Sequence, residues 1–89
     1  MTREELRTAS EELRAAAESA RGDVRERIYE QSNQLASLAT RDADPDHGRL
    51  DRHMHALSEV AEEADGEVHE RVLAAREALR EFREDLPGV

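Results

Sequence analysis

Apolar side chains recur along this chain at steps of three and four residues, in two runs. The first takes Leu6, Ala9, Leu13, Ala16, Ala20, Val24, Ile28, Leu35 and Leu38, with Gln31 filling its one gap. The second takes Leu50, His53 or Met54, Leu57, Val60, Ala64, Val68, Val72, Ala75, Leu79 and Phe82. Steps of that size lay a single stripe along an α-helix. Alanine, glutamate, arginine and leucine supply most of the remaining positions, and all four are strong helix formers. The pattern predicts an all-α protein.

Punctuation sets the boundaries. Thr2 suits an N-cap, and Glu5 three residues on completes a capping box. The stretch Arg41-Asp-Ala-Asp-Pro-Asp-His-Gly48 is polar and carries one of the two prolines. Asp44 is placed to cap a second helix that has Pro45 at its first position, and Pro87-Gly88 ends it. The expectation is a helix over 3–40, a loop over 41–47 and a helix over 48–86, in one domain. Gly22 and Gly66 are the uncertain points. Read as breaks, they give four short helices in a compact monomeric bundle. Read as tolerated glycines, they leave two long helices, and this is the preferred reading because the stripe crosses Gly22 without a phase slip, from Ala20 to Val24 to Ile28.

The second half echoes the first. Ala20-Arg-Gly-Asp-Val-Arg-Glu-Arg-Ile28 returns as Ala64-Asp-Gly-Glu-Val-His-Glu-Arg-Val72, 44 residues later. Identities at Leu6/Leu50, Leu13/Leu57, Ala17/Ala61, Gly22/Gly66, Val24/Val68, Arg27/Arg71 and Leu35/Leu79 suggest an internal repeat over 1–44 and 45–88.

Two helices joined by a short loop lie antiparallel. With the turn near Asp44, residue i faces residue 88 − i. Leu38 then meets Leu50, Ile28 meets Val60, Val24 meets Ala64, Ala20 meets Val68, and Leu6 meets Phe82. Gly22 falls opposite Gly66, which predicts a close approach of the two backbones there. Each helix would be about 57 Å long at 1.5 Å per residue. A lone hairpin of that length encloses little core. Ala17, Ala61, Tyr29, Leu73 and Ala78 would need a second hairpin to cover them. We therefore expect a homodimer in the form of a four-helix bundle. Its helix–helix interface is Leu6, Leu13, Ala20, Gly22, Val24, Ile28, Leu35, Leu38, Leu50, Leu57, Val60, Ala64, Gly66, Val68, Val72, Leu79 and Phe82. A different protein is the other candidate for that face.

Charge changes the picture of the solvent. In 89 residues, 22 carboxylates face 13 cations, all of them arginine, for a net charge of −9. A lysine-free, acid-rich, alanine-rich chain suits a cytoplasm of molar salt, where a screening length of about 3 Å silences most self-repulsion. The chain has no cysteine, which fits a reducing compartment. No apolar run approaches the roughly 20 residues of a membrane span, and the charged N-terminus is unlike a signal peptide.

Gly22-Asp-Val-Arg-Glu26, the acidic proline-containing linker, Gly48-Arg-Leu-Asp51 and Asp65-Gly-Glu67 together resemble a family of small acidic haloarchaeal proteins of unknown function. The resemblance implies a helical protein of brine and brings no activity, ligand or functional residue.

The chemistry-bearing residues point to no reaction. His53 and His55 project about 200° apart on a helix. Asp51 and His55 share a face but lack the further fixed ligands of a structural zinc. His53 sits at a core-phase position near Leu35 and is expected to rim the bundle. Asp23–Arg27 and Glu67–Arg71 are i,i+4 pairs in the favourable order, with pairing between helices as the alternative. Glu11-Glu12 and Glu62-Glu63 diverge by about 100° and form no acid–base pair. Arg3, Arg7, Arg14 and Arg21 alternate with Glu4, Glu11 and Glu18, so no basic stripe for nucleic acid emerges. We expect no catalytic, cofactor or metal residues, and a non-enzymatic structural or protein-interaction module. A small DNA-binding regulator is the alternative.

Overall fold

The structure, a computed structural model, describes residues 3–41 and 45–86. Among them are four helices: α1 (Glu4–Ser19), α2 (Gly22–Ala39), α3 (His47–Glu63) and α4 (Gly66–Asp85). Each packs antiparallel on its chain neighbours, and α4 closes the ring against α1. This is an up-and-down bundle of 37 × 20 × 16 Å with a Cα radius of gyration of 12.2 Å. A globular chain of this length should have a radius of about 12 Å.

The two long helices are thus each broken in the middle, and the alternative of four short helices fits. The cause is backbone conformation. Ala20 (φ −94°, ψ 167°) and Arg21 (φ −138°, ψ 155°) are extended, and Gly22 has φ +60°. Ala64 (φ −103°, ψ 162°), Asp65 (φ −140°, ψ 173°) and Gly66 (φ +59°) repeat the turn residue for residue. A positive φ costs an L-residue about 1–2 kcal/mol and a glycine almost nothing. The expected close approach of the glycines is corrected as well: a Cβ built on either would meet nothing within 4 Å. They are there to turn the chain.

α1 lies beside α4, and α2 beside α3. Both turns line one groove, with Ser19, Ala20, Arg21 and Val24 on one side and Glu63, Ala64, Asp65 and Val68 on the other. The two glycine turns thus lie side by side at the same end of the bundle.

This arrangement buries the stripe inside one chain. Leu6, Leu13, Ala20, Ile28, Leu35, Leu38, Leu50, Leu57, Val60, Val72, Leu79 and Phe82 all lie in the core, whereas Val24, Ala64 and Val68 are half-buried and both turn glycines exposed. Ala17, Ala61 and Ala78 are buried too, without a second chain; Tyr29 is half-buried and Leu73 exposed. Eight buried positions recur 44 residues on: 6/50, 9/53, 13/57, 16/60, 17/61, 28/72, 35/79 and 38/82. The two halves thus present the same positions to the core.

The cap of α3 is Asp46, not Asp44, and α3 starts at His47: the Asp46 carboxylate accepts from the Arg49 backbone N–H at 2.7 Å. Asp44, Thr2 and Pro87-Gly88 lie outside the described residues. Arg3 occupies the cap position of α1 and makes no cap hydrogen bond; its guanidinium donates to the Leu38 carbonyl at 3.0 Å, near the end of α2.

Candidate functional site

Two kinds of polar feature stand out, and the turns organise the first. Arg27 contacts Asp23 on its own helix at 3.7 Å and reaches Glu63 on α3 at 2.7 Å. Its repeat mate Arg71 contacts Glu67 at 2.9 Å and reaches Glu12 on α1 at 3.0 Å. Each arginine therefore makes both the i,i+4 pair and the inter-helix pair, one turn beyond its glycine. The Glu63 hydrogen bond raises the Arg27 pKa further, and those of Glu67 and Glu12 do the same for Arg71. His69 adds a third clasp: its Nδ1 donates to the Ala61 carbonyl at 2.7 Å, in the last turn of α3, where that carbonyl also accepts from the Ala64 backbone N–H. Elsewhere Arg83 pairs with Asp51 at 2.8 Å, Arg80 bridges Glu77 and Glu84, and the Arg80 hydrogen bond holds the Glu77 carboxyl below its usual range.

The second feature is the seam between α2 and α3, the most lightly packed of the four. His53 is buried there, 6% exposed, and Nδ1 donates to Gln31 Oε1 at 2.7 Å. Burial pushes the His53 pKa down, and the fields of Arg49 and Arg52 push it further the same way. His53 is thus a core residue and not a rim. Gln31, which interrupts the apolar stripe, is its partner. Beside them opens a groove of about 290 Å³ lined by Gln31, Gln34, Arg49, Arg52 and His53.

The repeat makes this seam informative. The five groove positions correspond in the α1–α4 seam to Ala75, Ala78, Glu5, Thr8 and Ala9. There the three alanines are buried and the helices close on one another. The equivalent positions thus differ: three of the five are buried alanines in the α1–α4 seam, and all five are polar or basic around an open groove in the α2–α3 seam. Sequence reading missed the site because Gln31 and His53 lie 22 residues apart and each looked like an isolated lapse in its own stripe. The signal that could have found them is the comparison of halves, Gln31 against Ala75 and His53 against Ala9.

The remaining candidates stay apart. His55 lies 3.4 Å from Glu59 on its own helix, and Asp51, which shares its face, is held by Arg83. Among the described residues no three His, Asp or Glu side chains gather closely enough to hold a metal ion, and no helix is long and apolar enough to cross a membrane. Ser10 Oγ donates to the buried Ser32 carbonyl at 3.1 Å and ties α1 to α2, whereas Ser32 Oγ is buried without a partner.

Against known proteins, the model of a family of unknown function, DUF7553, matches residues 1–85. No curated protein and no solved structure matches the chain.

Proposed function

We propose, for a chain that belongs to DUF7553 and takes no assigned activity from it, a non-enzymatic interaction module of a salt-rich cytoplasm, whose partner is a second copy of itself. The observation that carries this reading is the stripe, which keeps phase through both turns although the chain bends there. Ala20, Val24 and Ile28, like Ala64, Val68 and Val72, keep helical spacing across the break. A hairpin folded double and two straight hairpins laid side by side can bury the same side chains. Opening both turns therefore exchanges halves between chains without a new core, which is the low-cost route to dimers by swapping. The acidic faces keep either form soluble in brine.

The test is mass by light scattering with small-angle scattering, across protein concentration, after refolding in about 2 M and 0.2 M salt. The expected outcome is a one-chain species with a radius near 12.2 Å when dilute, and a longer two-chain species when refolded concentrated. A one-chain mass under every condition defeats self-association. Retention on heparin in molar salt would favour the DNA-binding reading instead.

A further inference from the structure

We propose that the groove between α2 and α3 is a binding site for a small tetrahedral oxyanion of the phosphate and sulfate class, held by Arg49 and Arg52 with amide donors from Gln31 and Gln34. The proposal does not depend on self-association.

Three observations meet at this groove. The first is its charge. Of the three grooves described, the one at the turns mixes Arg21 with Glu63 and Asp65, and the one between α1 and α2 mixes Arg7 and Arg14 with Glu11. The α2–α3 groove alone among them pairs two arginines with neutral donors and no carboxylate. In a chain of net charge −9, a carboxylate-free pocket around two guanidinium groups is a local reversal of field.

The second is unmet hydrogen bonding. Arg49 Nε is buried and has no partner, and neither guanidinium takes part in an ion pair among the described residues. Of the two acids that flank Arg49 in sequence, Asp46 accepts from its backbone N–H and Asp51 is taken by Arg83. A guanidinium is a planar fork of five donors that matches an oxyanion two bonds at a time. A buried donor left open costs free energy until something accepts from it.

The third is the divergence of the halves. If the seam served only to pack α2 on α3, the alanines of its counterpart would do it better. Instead Ala75, Ala78 and Ala9 are matched by Gln31, Gln34 and His53, and Glu5 and Thr8 by Arg49 and Arg52. The changes remove an acid, add two cations and add two amides, all around one cavity. Gln31 Oε1 is already engaged by His53, so that amide has N–H donors to give. A groove of about 290 Å³ lies at the small end of ligand pockets and has room for an ion of this class.

His53 is the built-in reporter. The titratable and charged groups around it are Arg49 and Arg52, on its own helix, whereas α2 presents the uncharged Gln31 and Gln34. A bound oxyanion offsets the arginine field, so the His53 pKa should rise on loading. The experiment titrates inorganic phosphate, and separately sulfate, against chloride at matched ionic strength while following the His53 ring protons by NMR. The chain is compared with Arg52→Gln, Arg49→Gln and, as control, Arg21→Gln, each checked for an unchanged helical spectrum. Arg52 is exposed, so its replacement tests binding without endangering the fold. Saturable shifts with both oxyanions, an upward-moving His53 pKa, affinity weakened about tenfold or more in each groove variant as for loss of one charge-assisted hydrogen bond, and full binding in Arg21→Gln support the site. Shifts that chloride reproduces, that fail to saturate, or that persist undiminished in Arg52→Gln overturn it.

Discussion

At the scale of the residue, the polar interior decides more than its size suggests. The Gln31–His53 hydrogen bond ties α2 to α3 from the buried side of the seam, where the Arg27–Glu63 pair does so at its more exposed end. Gln31→Ala leaves a buried imidazole N–H with no acceptor, which costs about 1–3 kcal/mol. Adding His53→Ala rebuilds the alanine pair of the opposite seam and should return part of that loss. A melt in which the double variant is worse than the sum of the singles would show that the pair is not coupled in this way. His53 also sets a pH dependence. Its folded pKa lies below the ordinary 6.5, so the unfolded chain binds the proton more readily. No stability is lost above that value. As the pH falls through 6.5 and on toward the folded pKa, the unfolded state takes up a proton that the folded state refuses, and stability drops. The melting temperature should decline between pH 7.5 and 5.5, less steeply in the Gln31→Ala/His53→Ala variant; equal slopes would remove His53 as the cause. Ser32 argues the opposite case. Its hydroxyl is buried and unpartnered, and its repeat mate is Arg76, so no symmetry requires it. Ser32→Ala removes a desolvated hydroxyl and adds helix propensity. The melt should hold or rise, and a fall of several degrees would reveal a bound water or back-bond that the hydroxyl serves.

At the scale of the element, the two turns explain what was legible and what was not. Helix content and most of the buried face could be read from spacing, because burial of one face imposes that spacing wherever a helix packs. Continuity could not. Phase agreement between Ala20 and Val24 points to one helix, yet each half sets its phase by facing the same core, and a turn of extended Ala20 and Arg21 can preserve it. The cue that outweighed phase was glycine itself, which is costly inside a helix and nearly free at φ +60°. The seam site was illegible for a related reason: Arg49, Arg52, Gln31 and His53 belong to different helices, and only the fold brings them together. The glycines therefore give a sharp prediction. In the bent chain, Gly22→Ala forces alanine into the left-handed region at about 1–2 kcal/mol. In a straight helix the same change gains about 1 kcal/mol. Both terms push from bent toward straight, so Gly22→Ala/Gly66→Ala should lower the melt of the one-chain form and raise the two-chain fraction at equal concentration. A double variant that melts lower yet stays one chain would mean that the straight form is not accessible.

At the scale of the whole molecule, the balance of charge sets the sign of the response to salt. Attraction and repulsion compete on the same surface. The Arg27, Arg71, Arg80 and Arg83 pairs are attractive, but their side chains are about a third to a half exposed, and pairs of that kind contribute little in water. Against them stands the mutual repulsion of a net charge of −9 on a body 37 Å long. At about 0.01 M salt the screening length is about 30 Å, so nearly every charge feels every other; at about 1 M it is about 3 Å, and only touching pairs remain. Screening therefore strips away the many distant repulsions before it reaches the few close attractions, and folding should gain. The melting temperature is expected to climb steadily between those two salt concentrations, with chloride serving as well as any other simple anion over the lower part of the range. A further rise with phosphate or sulfate beyond that of chloride at equal ionic strength, lost in Arg52→Gln, would separate occupancy of the α2–α3 groove from general screening. A melt that falls with salt would mean instead that the inter-helix ion pairs outweigh the net charge, and the case for a protein built for brine would fail with it.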